Sequence, residues 1–331
     1  MNVLVTGGSG TIGGYVLREL LRAGHVAANF SRTPPLVEGV DHFPGDVGNP
    51  DQLQEACRGR QAIVHLAAVP GPGRAAPDRM LEVNVVGTVR VLEAAVRSGV
   101  DKVVFASSGA ASGFSFQKHE ILPRYLPIDE EHPSEPQDEY GLSKLLAELA
   151  CKRYSAAFGL RTLCLRINHN WYLDREGAAL AVRAGWAKGL TVEQLWDRRY
   201  RRCIMNPGGE WPAPGPPPPW KLLWAVTDAR DAAQAFRLAV ENQTLVHEVF
   251  AINGSDTCSL VESRQLIAER YPNVPLRAAI EGHASLVSHQ KATRLLGYQP
   301  QFTWRSGEFR DWTDGVERQA RAQAGAWPRT D

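Results

Sequence analysis

The sequence carries almost no excess charge: 37 lysines and arginines stand against 36 aspartates and glutamates, a net +1 at neutral pH. A balance that close provides no field to draw in nucleic acid or an anionic membrane surface. No apolar run reaches membrane-spanning length, and Met1–Gly7 has no basic region leading into a long apolar segment. Neither insertion nor secretion is therefore expected. Cysteine is sparse: Cys57, Cys151, Cys164, Cys203 and Cys258 are scattered and odd in number, without the close pairs that zinc or redox sites require. No metal site is expected, and reduced thiols in a cytoplasmic protein is the reading that follows. What remains is 44% hydrophobic and 22% charged residues in a chain of 331, enough to bury one large core or two unequal ones.

Short β-branched runs alternate with helical patterns through the first half. Val3–Val5 reads as a buried strand, and Ile12, Val16, Leu17, Leu20 and Leu21 then recur at helical spacing until Ala23-Gly24 stops the helix. Further strands are expected at His25–Phe30, Ala62–Leu66, Lys102–Ala106 and Arg161–Ile167, with helices over Asp51–Arg58, Pro77–Ser98 and Tyr140–Phe158. These alternations predict an α/β fold with a Rossmann-like, doubly wound parallel sheet. The pattern changes after Asn168. Trp171, Trp186, Trp196, Trp211, Trp220 and Trp224 crowd a region that also holds Pro207-Gly208-Gly209 and Pro216–Pro219, and proline's missing amide proton predicts a loop over 207–219. A helix at Asp228–Glu241 and a strand at Glu248–Ile252 follow. The expected division is a nucleotide-binding domain over 1–168, to which 226–253 returns, and a smaller discontinuous substrate-binding domain over 169–225 and 254–331.

Three glycines mark the turn from the first strand to the first helix, in Val5-Thr6-Gly7-Gly8-Ser9-Gly10-Thr11-Ile12-Gly13. Gly7 permits the tight turn, Gly10 admits a pyrophosphate close to backbone, and Gly13 lets helix pack on strand. The free amides and positive end of the helix, from Thr11 and Ile12 onward, favour phosphate charge. At the end of strand two an acidic residue would bind the adenosine ribose and repel a 2′-phosphate. This sequence has Asn29-Phe30-Ser31-Arg32 instead. Ser31 can donate to a phosphate and Arg32 can pair with it, so NADP is favoured, with NAD the alternative.

Tyr140 and Lys144 stand four apart on an expected helix and share a face. A free tyrosine, with a pKa of about 10, is a poor base at neutral pH, and a neighbouring ammonium stabilises its phenolate. Together with Thr6-Gly7-x-x-Gly10-x-x-Gly13, Gly45-Asp46-Val47, His65-Leu66-Ala67-Ala68, Asn84-Val85-Val86-Gly87-Thr88, Ser107-Ser108, Tyr140-Gly141-Leu142-Ser143-Lys144 with Glu148, Val226–Ala233 and Leu296-Gly297-Tyr298-Gln299-Pro300, the pair resembles the extended short-chain dehydrogenase/reductases, also called the NAD-dependent epimerase/dehydratase family. The resemblance implies Ser108 as the catalytic serine, with Ser107 its neighbour if the register is off by one. Tyr140 would be the acid/base, and Lys144 would hold the cofactor ribose. It also implies that Asp46 and Val47 flank the adenine, and that Leu66, Ala67 and Ala68 let the cofactor lie close. Asn84 would support the active-site backbone or the cofactor. Plain packing explains the alanines equally well, and Asn84 can instead be satisfied inside its own helix.

The departures narrow the chemistry. Family members that dehydrate nucleotide sugars carry an acid and a base directly after the catalytic hydroxyl residue; here those positions are Gly109 and Ala110. Dehydration is not expected. The segment Arg166-Ile167-Asn168-His169-Asn170-Trp171 puts histidine where the family usually has asparagine, and no Gly-Asp-Gly segment precedes Val226, which weakens the case for a standard UDP-sugar site. The cluster Arg198, Arg199, Arg201 and Arg202 reads either as an anion grip or as a solvated face. The tryptophans read either as a pocket or as core. The expectation is hydride transfer at a secondary alcohol or ketone carbon of a sugar-like or other small-molecule substrate. A nucleotide-sugar 4-epimerase is the alternative, followed by a catalytically silent NADP-sensing regulator. Resemblance implies a homodimer through Pro77–Ser98 and Tyr140–Phe158; Leu81, Val85, Val89, Leu92 and Val96 fit an apolar stripe there, and burial against the chain's own sheet explains them equally.

Overall fold

The computed structural model describes residues 1–171, 191, 221–259 and 261–305. In chain order its strands are β1 (Asn2–Thr6), β2 (Val26–Ser31), β3 (Asp41–Pro44), β4 (Ala62–His65), β5 (Lys102–Ser108), β6 (Arg161–Ile167), β7 (Asn170–Trp171), β8 (Thr227–Asp228) and β9 (His247–Ile252). Seven of them form one parallel sheet in the order β3-β2-β1-β4-β5-β6-β9, and β7 pairs with β8 in a separate two-stranded ladder. Val3, Leu4 and Val5 are fully buried, as an unbroken aliphatic run requires when helices cover both faces of a sheet. The chain winds outward from β1 through β2 to β3, then returns to β4 on the other side. That reversal opens a crevice beyond the carboxyl ends of β1 and β4, where ligands bind in open α/β sheets.

The helices are α1 (Thr11–Arg22), α2 (Pro50–Cys57), α3 (Pro77–Leu81), α4 (Gly87–Arg97), α5 (Glu139–Phe158), α6 (Ala229–Glu241), α7 (Ser263–Arg270) and α8 (Gln290–Leu296). One face of the sheet is sealed by Val16, Leu17 and Leu20 of α1 with Phe236 of α6 and Phe250 of β9. The opposite face is sealed by Leu53, Val91, Leu92, Ala147 and Cys151 from α2, α4 and α5. A third apolar cluster gathers Phe114, Leu126, Trp171, Trp224, Leu266, Tyr271, Leu286 and Trp304. Trp171, Trp224 and Trp304 are thus core side chains. Trp186, Trp196, Trp211, Trp220, the Arg198–Arg202 cluster and the proline-rich 207–219 lie outside the described residues.

Three of the differences from the sequence expectation concern the elements around the crevice. The helix expected over Pro77–Ser98 is interrupted by a π turn at Glu82–Val86, whose extra residue per turn swings Asn84 inward. The short edge strand β3 has no periodicity to announce it. The strand expected over Lys102–Ala106 runs on to Ser108, its last residue. No helix among the described residues is long and apolar enough to cross a membrane.

Candidate active site

Backbone closeness shapes the first rim of the crevice. Gly7 has φ 75°, and a Cβ there would sit 2.7 Å from the amide nitrogen of Ala67; both facts demand glycine. A Cβ on Gly13 would meet the Gly7 carbonyl oxygen and Gly8 Cα at 2.6 Å. At exposed Gly10 the Cβ would meet only the Gly7 oxygen, at 3.2 Å. Gly10 is also the N-cap of α1, so no side chain takes up the first amides, and no carboxylate lies in the first turn. The Thr11 hydroxyl is buried there without a protein partner. An open helix N-terminus with a spare donor and no competing anion fits a phosphate. Gly7, Gly10, Thr11, Ile12 and Gly13 therefore suit the pyrophosphate of a dinucleotide.

The end of β2 is tied to this loop by side chains. Fully buried Asn29 donates from Nδ2 to Ser9 Oγ at 3.1 Å and faces His42 Nδ1 at 3.0 Å, while Ser31 Oγ donates to Asn29 Oδ1 at 3.1 Å. Ser9 also bonds the Thr33 carbonyl. Ser31 is thus occupied within the loop, and exposed Arg32 is displayed beside it. Asp46 turns its carboxylate onto the Gly48 amide at 2.7 Å and half-shelters there, with Val47 buried below it against Gly87. Leu66, Ala67 and Ala68 are half-buried and follow β4 directly above Gly7.

The second rim is built from buried polar groups. Asp138 caps α5, accepting the Gly141 amide at 2.8 Å, and Gly141 lets the helix approach so closely that a Cβ would lie 2.6 Å from the Ala110 carbonyl oxygen. This brings the Tyr140 phenol beside Ser108, whose hydroxyl accepts the Ala110 amide at 3.1 Å and favours the phenolate. Lys144 is buried, donates to the Ala106 carbonyl at 2.8 Å, and holds its ammonium 5.7 Å from the centre of the Tyr140 ring. Burial pushes the Tyr140 phenol up to about 12, opposed by the Ser108 hydrogen bond. Burial also pulls Lys144 down to about 8, opposed by the carboxylate of Glu148. Both groups are protonated at neutral pH, so the isolated pair is arranged as a proton donor beside a cation.

Beneath the rim lies a buried ion pair. Glu148 on α5 receives both Arg166 of β6, at 2.8 and 2.7 Å, and the Ser107 hydroxyl at 2.5 Å. Arg166 also donates to Ser134 at 3.0 Å. Such a pair withstands desolvation only with further hydrogen bonds around it, and Ser107 and Ser134 supply them here. Asn84, reaching in from the π turn, accepts from the Val69 amide at 2.8 Å and donates to Ser143 Oγ at 3.0 Å. Ser143 in turn donates to the Tyr140 carbonyl at 2.7 Å. Asn84 is therefore satisfied across the crevice wall rather than inside its own helix.

A profile of the NAD dependent epimerase/dehydratase family matches residues 3–179. The chain belongs to this family. It is 32% identical to the UDP-glucose 4-epimerase of Streptomyces lividans over 90% of this chain and 91% of that one. It is 34% identical to the L-arabinose 1-dehydrogenase (NAD(P)(+)) of Haloferax volcanii over 62% of this chain and 84% of that one. A crystal structure of a short-chain dehydrogenase/reductase superfamily protein from Agrobacterium tumefaciens, with bound NAD, superposes with TM-score 0.65 at 24% identity, covering 99% of this chain and all of the other; at that identity the likeness speaks for the fold.

In this extended short-chain dehydrogenase/reductase the structure gathers Ser108, Tyr140 and Lys144 at one edge and the glycine turn at the other. Sequence reasoning gave Asp138 and Arg166 no place in the site and quoted Gly141 and Ser143 only as members of the tyrosine motif, without a role. Asp138 had a local signal, an acid two residues before the tyrosine at a helix start. Arg166 had none, because its partner lies on another element.

Proposed function

We propose that this chain is an NADP-dependent oxidoreductase acting at a secondary alcohol or ketone carbon of a sugar-like or other small carbonyl substrate. The observation that carries the reading is the convergence of Ser108, Tyr140 and Lys144 at the end of β5, the phenol near enough to the serine hydroxyl to feel it and backed by an ammonium. A bound nicotinamide supplies the hydride donor or acceptor and, when oxidised, a positive charge. Tyr140, held protonated by burial, gives its proton to the oxygen that becomes an alkoxide during reduction. Ser108 donates a hydrogen bond to the same oxygen. In the oxidative direction Lys144 supports the phenolate, since an opposite charge nearby favours the ionised form. The cradle from Gly7 to Gly13 would hold the pyrophosphate, and Lys144 would hold the ribose.

The cofactor preference rests on the missing carboxylate at the end of β2 and on exposed Arg32 there, with NAD the alternative. Because Ser31 is tied into the Asn29 knot, the preference leans on Arg32. Cys57, Cys151 and Cys164 are free thiols in the core, which supports a reducing compartment such as the cytoplasm. A homodimer is supported by Leu142, Leu146 and Leu149, which stand exposed on α5 beside exposed Val86. Leu92, part of the expected stripe, is buried in the chain's own core, so the α5 leucines make the better face. Residues 169–225 and 254–331 are assigned to substrate binding.

The decisive experiment is Tyr140→Phe in a panel of UDP-sugars, free sugars, uronic acids and hydrophobic ketones, followed by cofactor absorbance. Turnover should fall by 10²- to 10⁴-fold, as removal of a general acid does, with cofactor binding intact; undiminished turnover would sink the mechanism. A second reading, nucleotide-sugar 4-epimerase, is favoured by similarity to the Streptomyces lividans enzyme along nearly the whole chain. It uses the same residues twice, first in oxidation and then in re-reduction of the opposite face. Cofactor that stays bound through purification, with epimerisation and no net absorbance change, would select it.

A further inference from the structure

One buried histidine touches both rims. His65 ends β4 and is 1% exposed. Its Nδ1 lies 2.7 Å from the hydroxyl of Thr6, the residue directly before Gly7, and its Nε2 lies 3.0 Å from the hydroxyl of Thr88 in α4. Thr88 Oγ1 also lies 2.6 Å from the carbonyl oxygen of Asn84. A hydroxyl has one hydrogen and a carbonyl can only accept, so the Thr88 hydrogen goes to Asn84. Thr88 must then accept from His65, which places a proton on Nε2. In the neutral ring Nδ1 is bare, so Thr6 donates to it, leaving the Thr6 lone pairs for the Ala67 amide at 3.4 Å. Every hydrogen has one destination. A second proton on the ring would displace the Thr6 hydrogen and add a charge beside the Lys144 ammonium; burial and that ammonium depress the ring to about 3.

From Thr88 the chain passes to Asn84, from Asn84 to Ser143, and from Ser143 to the Tyr140 carbonyl. We propose that His65, fixed as the neutral Nε2–H tautomer, is a positioning residue that sets the Gly7 turn and Tyr140 against each other through this one-way series of buried hydrogen bonds. The inference rests on the reaction proposed above, because it assigns His65 the task of holding the cofactor turn and the proton donor in register.

Three variants divide the two contacts. His65→Asn places a carbonyl oxygen near the Nδ1 position and keeps an acceptor for Thr6. His65→Gln places an amide donor near Nε2 and keeps the bond to Thr88. His65→Leu keeps neither. Binding of NADPH and NADH, read by nicotinamide fluorescence without substrate, should weaken about ten-fold in His65→Leu, since a buried hydroxyl loses its partner. His65→Asn should recover that affinity while kcat stays low, and His65→Gln should recover kcat while the cofactor KM stays high. A role in folding alone would lower the melting temperature without this split, and equal losses in both amide variants would overturn the coupling. If His65→Leu does not fold, nitrogen-15 NMR of the wild-type imidazole decides: the expected signature is an Nε2–H ring that does not titrate between pH 5 and 8, and an Nδ1–H or titrating ring overturns the proposal. Full turnover in Tyr140→Phe would defeat the proposed reaction, whereas cofactor affinity and ring tautomer judge His65 independently of turnover.

Discussion

The two rims of the crevice are made by opposite means. The glycine rim owes its shape to side chains that are missing: Gly7 and Gly13 leave no room for even a methyl group against Ala67 and the Gly7–Gly8 backbone. The α5 rim owes its shape to side chains that are present, buried and paired, from Asp138 at the helix start to Glu148 and Arg166 below it. The first rim should fail by collision and the second by orphaned charge. A collision moves backbone by a few tenths of an ångström and spoils binding, while an orphaned charge spoils the fold itself.

The sharpest test of that contrast is Glu148→Gln. It leaves Arg166 without a counter-charge at 8% exposure, and removing one partner of a buried pair costs about 3–5 kcal/mol. Chemical denaturation should show a loss of that size. A loss below about 1 kcal/mol, the worth of a surface pair, would mean that the α5 rim is not held by its ion pair.

Gly13→Ala should behave differently. The added Cβ meets backbone atoms at 2.6 Å, which cannot swing aside as a side chain would. The cofactor KM should rise by an order of magnitude or more, by about the 1.4 kcal/mol that equals ten-fold, while kcat at saturating cofactor falls less. If kcat falls and KM holds, the glycine rim is not a binding surface.

These two regions were unequally legible in the sequence. The glycine rim is a contiguous string, and its spacing announces strand, turn and helix together. Tyr140 and Lys144 are equally local, because one helical turn puts them on one face. The ion pair is not local: Arg166 reaches Glu148 from another element, and no periodic pattern connects a helix position to a strand position across a loop. The π turn was invisible for a related reason. Residues 77–98 have good helical spacing, and only the tertiary contact from Asn84 to Val69 and Ser143 selects the extra residue. The strand β3 escaped because four residues ending in proline carry too little alternation to register.

A pH experiment separates burial near the site from burial far from it. Lys102, at the foot of β5, is fully buried and donates to the carbonyls of Ala239 and Val240 at 3.1 and 2.8 Å and to that of Asn242, closing the end of α6. Burial lowers it to about 8. Between about 8 and the unfolded value of 10.4, the unfolded chain holds more protons on this lysine than the folded one. Its contribution to stability therefore rises with pH across that window. The slope of unfolding free energy between pH 8 and 10 should be less positive in Lys102→Met than in the wild type, and parallel slopes would show that the carbonyl cage, not desolvation, governs its proton.

The smallest effect is expected at the helix cap. Asp138→Ala removes the acceptor for the Gly141 amide, which costs about 1 kcal/mol. Its value lies in the direction of the loss. Gly141 sits against the Ala110 carbonyl and Tyr140 precedes it, so a frayed first turn moves the phenol away from Ser108. Turnover should fall by more than the change in stability accounts for, with the cofactor KM unchanged. Asp138→Asn, which keeps a capping oxygen, should restore the rate. If the asparagine fails to restore it while stability returns, the carboxylate charge rather than the cap sets the position of Tyr140, and the α5 rim is organised by electrostatics as far up as its catalytic end.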